Sequence, residues 1–194
     1  GSIMGNTDDY YKKTVKYEYE GISLQFRVSQ NLFSSNNIDI GTQRLLRTFT
    51  DEKINGFNKA LDLGCGYGPL GIALKNINPA GDVHMIDRDA LALEYSRQNS
   101  DLNNVGDVKI YGSLGYDDVE ENNFDLIVSN IPAKVGESVL SHLLLDAQFH
   151  LRPQGRIAIV VINAIAEYVT NLLTNDPNIK ILFRKNKRKC PKFS

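Results

Sequence analysis

The residues able to do chemistry sit at the ends of short apolar runs. Ala60-Leu61-Asp62-Leu63-Gly64-Cys65-Gly66-Tyr67-Gly68-Pro69-Leu70-Gly71 reads as a strand, a glycine turn and a helix start. Gly64, Gly66 and Gly68 alternate through the turn, so no Cβ obstructs a tight bend or a close ligand. Pro69 suits a first helical turn, where its missing N–H would have had no partner. Asp62 sits where the strand ends. The result is a polar pocket at the carboxyl end of a strand, where open α/β sheets bind ligands. Gly66-x-Gly68-x-x-Gly71 fits the dinucleotide fingerprint. That fingerprint, however, places its first glycine directly after an apolar strand, and an anionic Asp62 at the mouth opposes a pyrophosphate. The same carboxylate suits a ligand carrying an ammonium group. A merely structural βα turn would need only one of these glycines.

Asp87 closes the next apolar run, roughly 20 residues beyond the glycine turn, where an acidic side chain accepts hydrogen bonds from ribose hydroxyls in nucleotide-type sites. Asp89 is the better helix cap, which leaves Asp87 for a ligand. This spacing serves any adenosine ligand. Ser113 carries a hydroxyl that can accept a hydrogen bond, although Gly112-Ser113 reads equally well as a turn. A further strand ends at Ser129-Asn130-Ile131-Pro132-Ala133-Lys134, and an Asn-x-Pro turn at such a place is also a common structural device. His84, His142 and His150 show no metal spacing and no nearby cysteine pair, so no metal is expected. Cys65 reads as a small packing residue.

The elements that must position these residues alternate. A β-hairpin is expected over 14–29, where alternating apolar residues flank Gly21. A polar loop over 30–37 holds Phe33, and a helix over 39–49 puts Ile40, Leu45, Leu46 and Phe49 on one side. Helices are expected over 68–75, 90–102, 136–149 and 164–173, and strands over 81–87, 107–111, 124–129, 156–162 and 179–184. Leu91, Leu93 and Tyr95 mark the buried side of the second of these helices. Val139, Leu140, Leu143, Leu144 and Ala147 mark that of the third. Arg152-Pro153-Gln154-Gly155 reads as a turn, and 156–162, the most apolar strand, as central. This alternation implies a mainly parallel sheet covered on both faces.

The chain has 194 residues, which favours one domain with a full core. A net charge of −1 gives no global field for nucleic acid. Two distant cysteines, Cys65 and Cys190, form no disulfide framework, which suggests a reducing cytoplasm. No apolar run approaches the ~20 residues of a membrane span, and no secretory leader is evident. Gly1-Ser2 reads as an expression remnant ahead of a start near Met4.

The Asp-x-Gly-x-Gly-x-Gly run from Asp62 to Gly68 resembles motif I of class I S-adenosylmethionine (SAM) methyltransferases. Asn130-Ile131-Pro132-Ala133 resembles the Asn-Pro-Pro-aromatic motif of those that modify exocyclic amines, with Ile131 and Ala133 in place of a proline and the aromatic. With Phe33-Ser34, Asp39-x-Gly41-Thr42 and Val135-Gly136, the chain resembles over about 14–184 the small-domain methyltransferases related to ribosomal-RNA guanine-N2 methyltransferases. The resemblance implies a Rossmann-like α/β fold, a mainly parallel seven-stranded sheet with an N-terminal hairpin extension. Residues 5–37 would be the extension and 38–194 the SAM-binding part of one compact domain. It implies SAM as cofactor, held by Asp62, Gly64, Cys65, Gly66, Gly68, Asp87, Arg88, Ser113, Leu114 and Asn130. Asn130 and Pro132 would hold the acceptor amine, with Phe33 and Lys134 near the substrate. RNA, ribosomal above all, is the expected partner, through the cleft and the basic tail 184–192, which also reads as a solvated end. Ile131 and Ala133 keep a small-molecule or protein methyltransferase open, and a catalytically silent SAM-binding interaction module remains a further alternative.

Overall fold

The computed structural model describes residues 11–29, 38, 40–51, 54, 56–131 and 136–160. Strands β1 (Tyr11–Tyr19) and β2 (Ile22–Ser29) pair antiparallel. They join through Glu20 and Gly21 at φ 49° and 85°. Two successive positive φ values make a type I′ turn, whose twist matches that of the flanking strands. Period-two patterning points Val15, Tyr17, Leu24, Phe26 and Val28 inward.

Helix α1 (Ile40–Asp51) follows, burying Leu45, Leu46 and Phe49. Then come β3 (Lys59–Leu63), α2 (Pro69–Ile77), β4 (Asp82–Asp87), α3 (Ala90–Leu102) and β5 (Lys109–Gly112). The described chain closes with β6 (Phe124–Asn130), α4 (Glu137–Asp146), a 3₁₀ turn Ala147–Phe149 and β7 (Leu151–Val160). Strands β3 to β7 form one parallel sheet in the order β5-β4-β3-β6-β7. Side chains alternate between its faces. Ala60, Val83, Met85, Leu126, Val128 and Ala158 pack under the hairpin, α1, α2 and α3. Leu61, Ile86, Ile127, Ile157 and Ile159 pack with Leu140 and Leu144 of α4. Both faces are covered, hence the near-continuous apolar runs.

Several expectations need adjustment. Among the described residues the sheet has five parallel strands rather than seven, and two further strands form the separate hairpin. The helix expected over 164–173, the strand over 179–184 and the loop holding Phe33 lie outside the described residues. Among those described, β3 rather than 156–162 is central, because continuous apolarity reports cover on two faces and not a central place. The turn expected at Arg152–Gly155 lies inside β7: the ladder pairs Phe124 with Leu151 and then Leu126 with Arg156, and the chain between bulges out at Gln154, φ 67°. Val139, assigned to the buried side of its helix, is 57% exposed, because α4 packs along Leu140 and Leu144.

Candidate functional site

From β3 the chain runs outward to β4 and β5, then crosses back to β6 on the other side of β3. Such a reversal leaves a crevice outside the carboxyl ends of the two strands, the place where open α/β sheets take ligands. The residues expected to do chemistry converge there. The glycine turn leaves β3, Asn130 ends β6 and Asp87 ends β4. Buried Ser129 donates from Oγ to the Leu63 carbonyl at 2.8 Å, tying the tips of β6 and β3 together.

Gly64, Gly66 and Gly68 have φ of 70°, 58° and 102°, in the left-handed region that favours glycine. Above Gly64 a Cβ would meet nothing within 4 Å, so open space lies over the turn. Cys65 is buried, and burial pushes its thiol well above the ordinary value, which makes it an inert packing group. Gly68 caps α2 at its N-terminus and Pro69 opens that helix, as the sequence predicts.

Asp62 is 1% exposed. Its Oδ2 accepts from the Gly71 N–H at 2.8 Å, while Oδ1 has no partner among the described residues. Burial pushes its carboxyl up to about 7; the nearby charge of Asp87 adds to this and the Gly71 N–H opposes it. An unsatisfied buried oxygen costs ~1–3 kcal/mol, more when charged. A carboxylate left in that state fits a cationic donor reaching it from the crevice. The Gly71 position is equally constrained, since a Cβ there would lie 2.5 Å from Met85 Cγ and 3.1 Å from Asp62 Oδ2. Gly71→Ala is therefore expected to cost ~1–3 kcal/mol. Thermal melting should show a fall of ~2–4 °C per kcal/mol; an unshifted melting temperature would mean that the Met85 side chain moves aside freely.

Asp87 accepts from the Gly66 N–H through Oδ2 and from the Asp89 N–H through Oδ1, both at 2.9 Å. Each oxygen has a second lone pair for a ligand hydroxyl. Asp89 caps α3, accepting from the Leu91 N–H at 2.9 Å, as the sequence suggests. Arg88 is exposed. Ser113 is turned into its own loop: it donates to the Gly115 carbonyl at 2.7 Å and accepts from the Asp118 N–H at 3.1 Å. Its neighbour Leu114 is 61% exposed, an apolar surface beside the end of β5. Asn130 donates from Nδ2 to Oγ1 of buried Thr42 on α1, at 2.8 Å. Ile131 is buried in the core beneath the second sheet face, so its departure from the proline pattern is a matter of packing. Pro132 and Lys134, like Phe33, lie outside the described residues.

Sequence reasoning missed the polar supports of the glycine turn. Ser96 of α3 donates to the Gly66 carbonyl at 2.7 Å, and Asn99, one turn on, donates to the Tyr67 carbonyl at 2.7 Å. Polar residues at i and i+3 on a helix read as a solvent face, and only the tertiary fold buries them. It also missed a cluster at the other end of the sheet. His84 Nε2 lies 3.1 Å from Glu121 and 3.4 Å from Asp82. Lys59 bridges Glu121 at 2.8 Å and Lys109 bridges Asp82 at 3.2 Å. Asp82 and His84 share one face of β4, but only the fold brings Glu121, Lys59 and Lys109 to them, and the lysines already neutralise the carboxylates.

The crevice at the order reversal, its glycine turn and its acidic strand ends define a Rossmann-like α/β protein of the methyltransferase type. The chain belongs to the methyltransferase small domain family, whose profile matches residues 23–189. It is 30% identical over 151 residues to the uncharacterized protein YbxB of Bacillus subtilis (strain 168), covering 77% of this chain and 74% of that one. It is 36% identical over 162 residues to the ribosomal RNA small subunit methyltransferase C of Haemophilus influenzae (strain PittEE), covering 81% and 47%. The structure superposes, at a TM-score of 0.64 and 25% identity, on the T. thermophilus 16S rRNA N2 methyltransferase RsmC in complex with AdoMet and guanosine, covering 74% of this chain and 40% of that one. The chain thus spans about half the length of the Haemophilus relative. Among the described residues no helix is long and apolar enough to cross a membrane.

Proposed function

We propose that this chain transfers a methyl group from SAM to an exocyclic amine, the N2 of guanine in ribosomal RNA, in the cytoplasm. The observation that carries the reading is the side-by-side placement of the glycine turn and Asn130 across the β3–β6 reversal. The residues fit the cofactor: Asp62 Oδ1, without a partner among the described residues, is an acceptor suited to an ammonium, and Asp87 has lone pairs for ribose hydroxyls. The exposed apolar face of Leu114 suits a flat base. The cofactor supplies a methyl group already activated on sulfur, so the protein's task is alignment, which can be worth ~7–11 kcal/mol.

Asn130 is the acceptor-orienting residue. Its Nδ2 is held by Thr42 at the end of β6, and the amide oxygen would accept the target N–H. That bond orients the amine lone pair, and the surplus proton leaves after transfer, so no strong base is required. The names of the ribosomal-RNA relatives support the substrate class. The basic run 184–192, outside the described residues, would add phosphate contacts.

Calorimetric titration with S-adenosylhomocysteine, with NAD as control, tests the cofactor. The former alone should bind, and Asp87→Ala should abolish most of that binding. Labelled methyl transfer to small ribosomal subunits, followed by nucleoside analysis for N2-methylguanosine, tests the substrate. Binding of NAD would overturn the cofactor assignment. Transfer to protein or small molecules but not RNA would favour the reading kept open by Ala133.

A further inference from the structure

Asn99 is fully buried in the last turn of α3, where an apolar residue would ordinarily sit. Its side chain makes three directional bonds. Oδ1 accepts from the Arg27 N–H at 2.7 Å. Nδ2 donates to the Arg27 carbonyl at 3.0 Å and to the Tyr67 carbonyl at 2.7 Å. The amide thus acts toward β2 as one residue of a neighbouring strand would, pairing an N–H and a C=O of the same residue, and its remaining donor reaches the glycine turn. One turn along, Asn103 repeats the arrangement: it accepts from the Gln25 N–H at 2.9 Å and donates to the Gln25 carbonyl at 2.6 Å. Its remaining side-chain bond among the described residues runs back into α3, to the Asn99 carbonyl at 2.8 Å. Two further contacts converge on the same place. Phe26 of β2 meets the Tyr67 ring edge-on at 5.7 Å, and Ser96 holds the Gly66 carbonyl.

We propose that Asn99 is a positioning residue for cofactor binding, through which the N-terminal hairpin sets the conformation of the glycine turn. This rests on the reading of that turn as the SAM site. A trans peptide is planar, with its N–H opposite its carbonyl. Holding the Gly66 and Tyr67 carbonyls on α3 therefore fixes the directions of the next two N–H groups. The hairpin is the turn's outer support: β2 fixes the Asn99 amide, and the amide fixes Tyr67. A purely structural hairpin needs only the Asn103 clasp and the apolar contacts of Leu24, Phe26 and Val28. The bond to Tyr67 has no use in holding a strand edge.

Three measurements test this. In Asn99→Asp the bond from the Arg27 N–H remains, but an acceptor replaces the donor that faced the Tyr67 and Arg27 carbonyls. S-adenosylhomocysteine affinity should fall at least tenfold and KM for SAM should rise in step, with kcat at saturating SAM within about threefold of the wild type. Asn103→Ala should lower the melting temperature and leave affinity within about twofold. Should Asn99→Asp fail to fold, hydrogen exchange in the unaltered chain decides: ligand should slow exchange at the Arg27 and Gln25 amides as well as in the turn. Equal effects of the two variants on affinity, or protection confined to the turn, would overturn the inference. A wild-type chain that binds no S-adenosylhomocysteine would instead remove the cofactor reading, and the inference with it.

Discussion

Asn130→Ala is expected to slow methyl transfer by ~10²-fold while leaving S-adenosylhomocysteine affinity nearly unchanged. The reasoning is local. Asn130 stands at the last position of β6, across the order reversal from the glycine turn, and its strand is fixed there by Ser129 bonded to Leu63. Its proposed work is on the acceptor amine, so its loss should appear in kcat and not in cofactor binding. Thr42→Val keeps the shape of the supporting side chain and removes the oxygen that receives Asn130 Nδ2. A hydrogen bond of this kind is worth ~1 kcal/mol, so the amide should lose orientation and the rate fall roughly fivefold to tenfold. Thr42→Ser should restore most of it. Single-turnover transfer paired with calorimetry separates the two effects. Loss of cofactor affinity in Asn130→Ala with undiminished turnover of the bound fraction would move Asn130 from the acceptor to the cofactor.

The second large effect is a pH dependence that Asp62 imposes on stability. Its carboxyl is raised from the ordinary 3.8 to about 7 by burial, with Asp87 adding and the Gly71 N–H opposing. A folded-state value above the unfolded one means that the folded protein holds this proton more tightly. The stabilisation is complete below the unfolded value, near 4, and is lost progressively as pH rises to about 7. At ~1.4 kcal/mol per pH unit, the full span is about 4 kcal/mol. Between pH 5 and pH 8 the ligand-free chain should lose about 3 kcal/mol from this group, and Asp62→Asn should flatten that slope in urea melts. A slope unchanged in the variant would assign it elsewhere. Binding of an ammonium-bearing ligand favours the charged carboxylate. Cofactor affinity should therefore be about tenfold weaker at pH 6 than at pH 8, with a proton released to buffer on binding.

The sequence by itself determined the parts that depend on spacing. The glycine turn was legible because positive φ at three alternating positions restricts residue type so strongly. Pro69 and Asp89 fixed helix starts, and the strand ends at Asp62, Asp87 and Asn130 stood out as polar residues closing apolar runs. Only the tertiary structure decided which of these meet. The order reversal brings β6 beside β3, and strand order is set by contacts between residues far apart in sequence. It decided that Asp62 lies behind the turn, bonded to Gly71, and that Ser113 is turned into its own loop. It also turned the polar side of α3, which sequence reads as solvent-facing, into the support of the turn. Asn99 and Asn103 are buried or clasped because the outer edge of β2 lies against them, and a backbone edge is recognised through N–H and C=O groups that every residue but proline shares. No residue type in β2 announces that pairing, so no pattern in the sequence could disclose it.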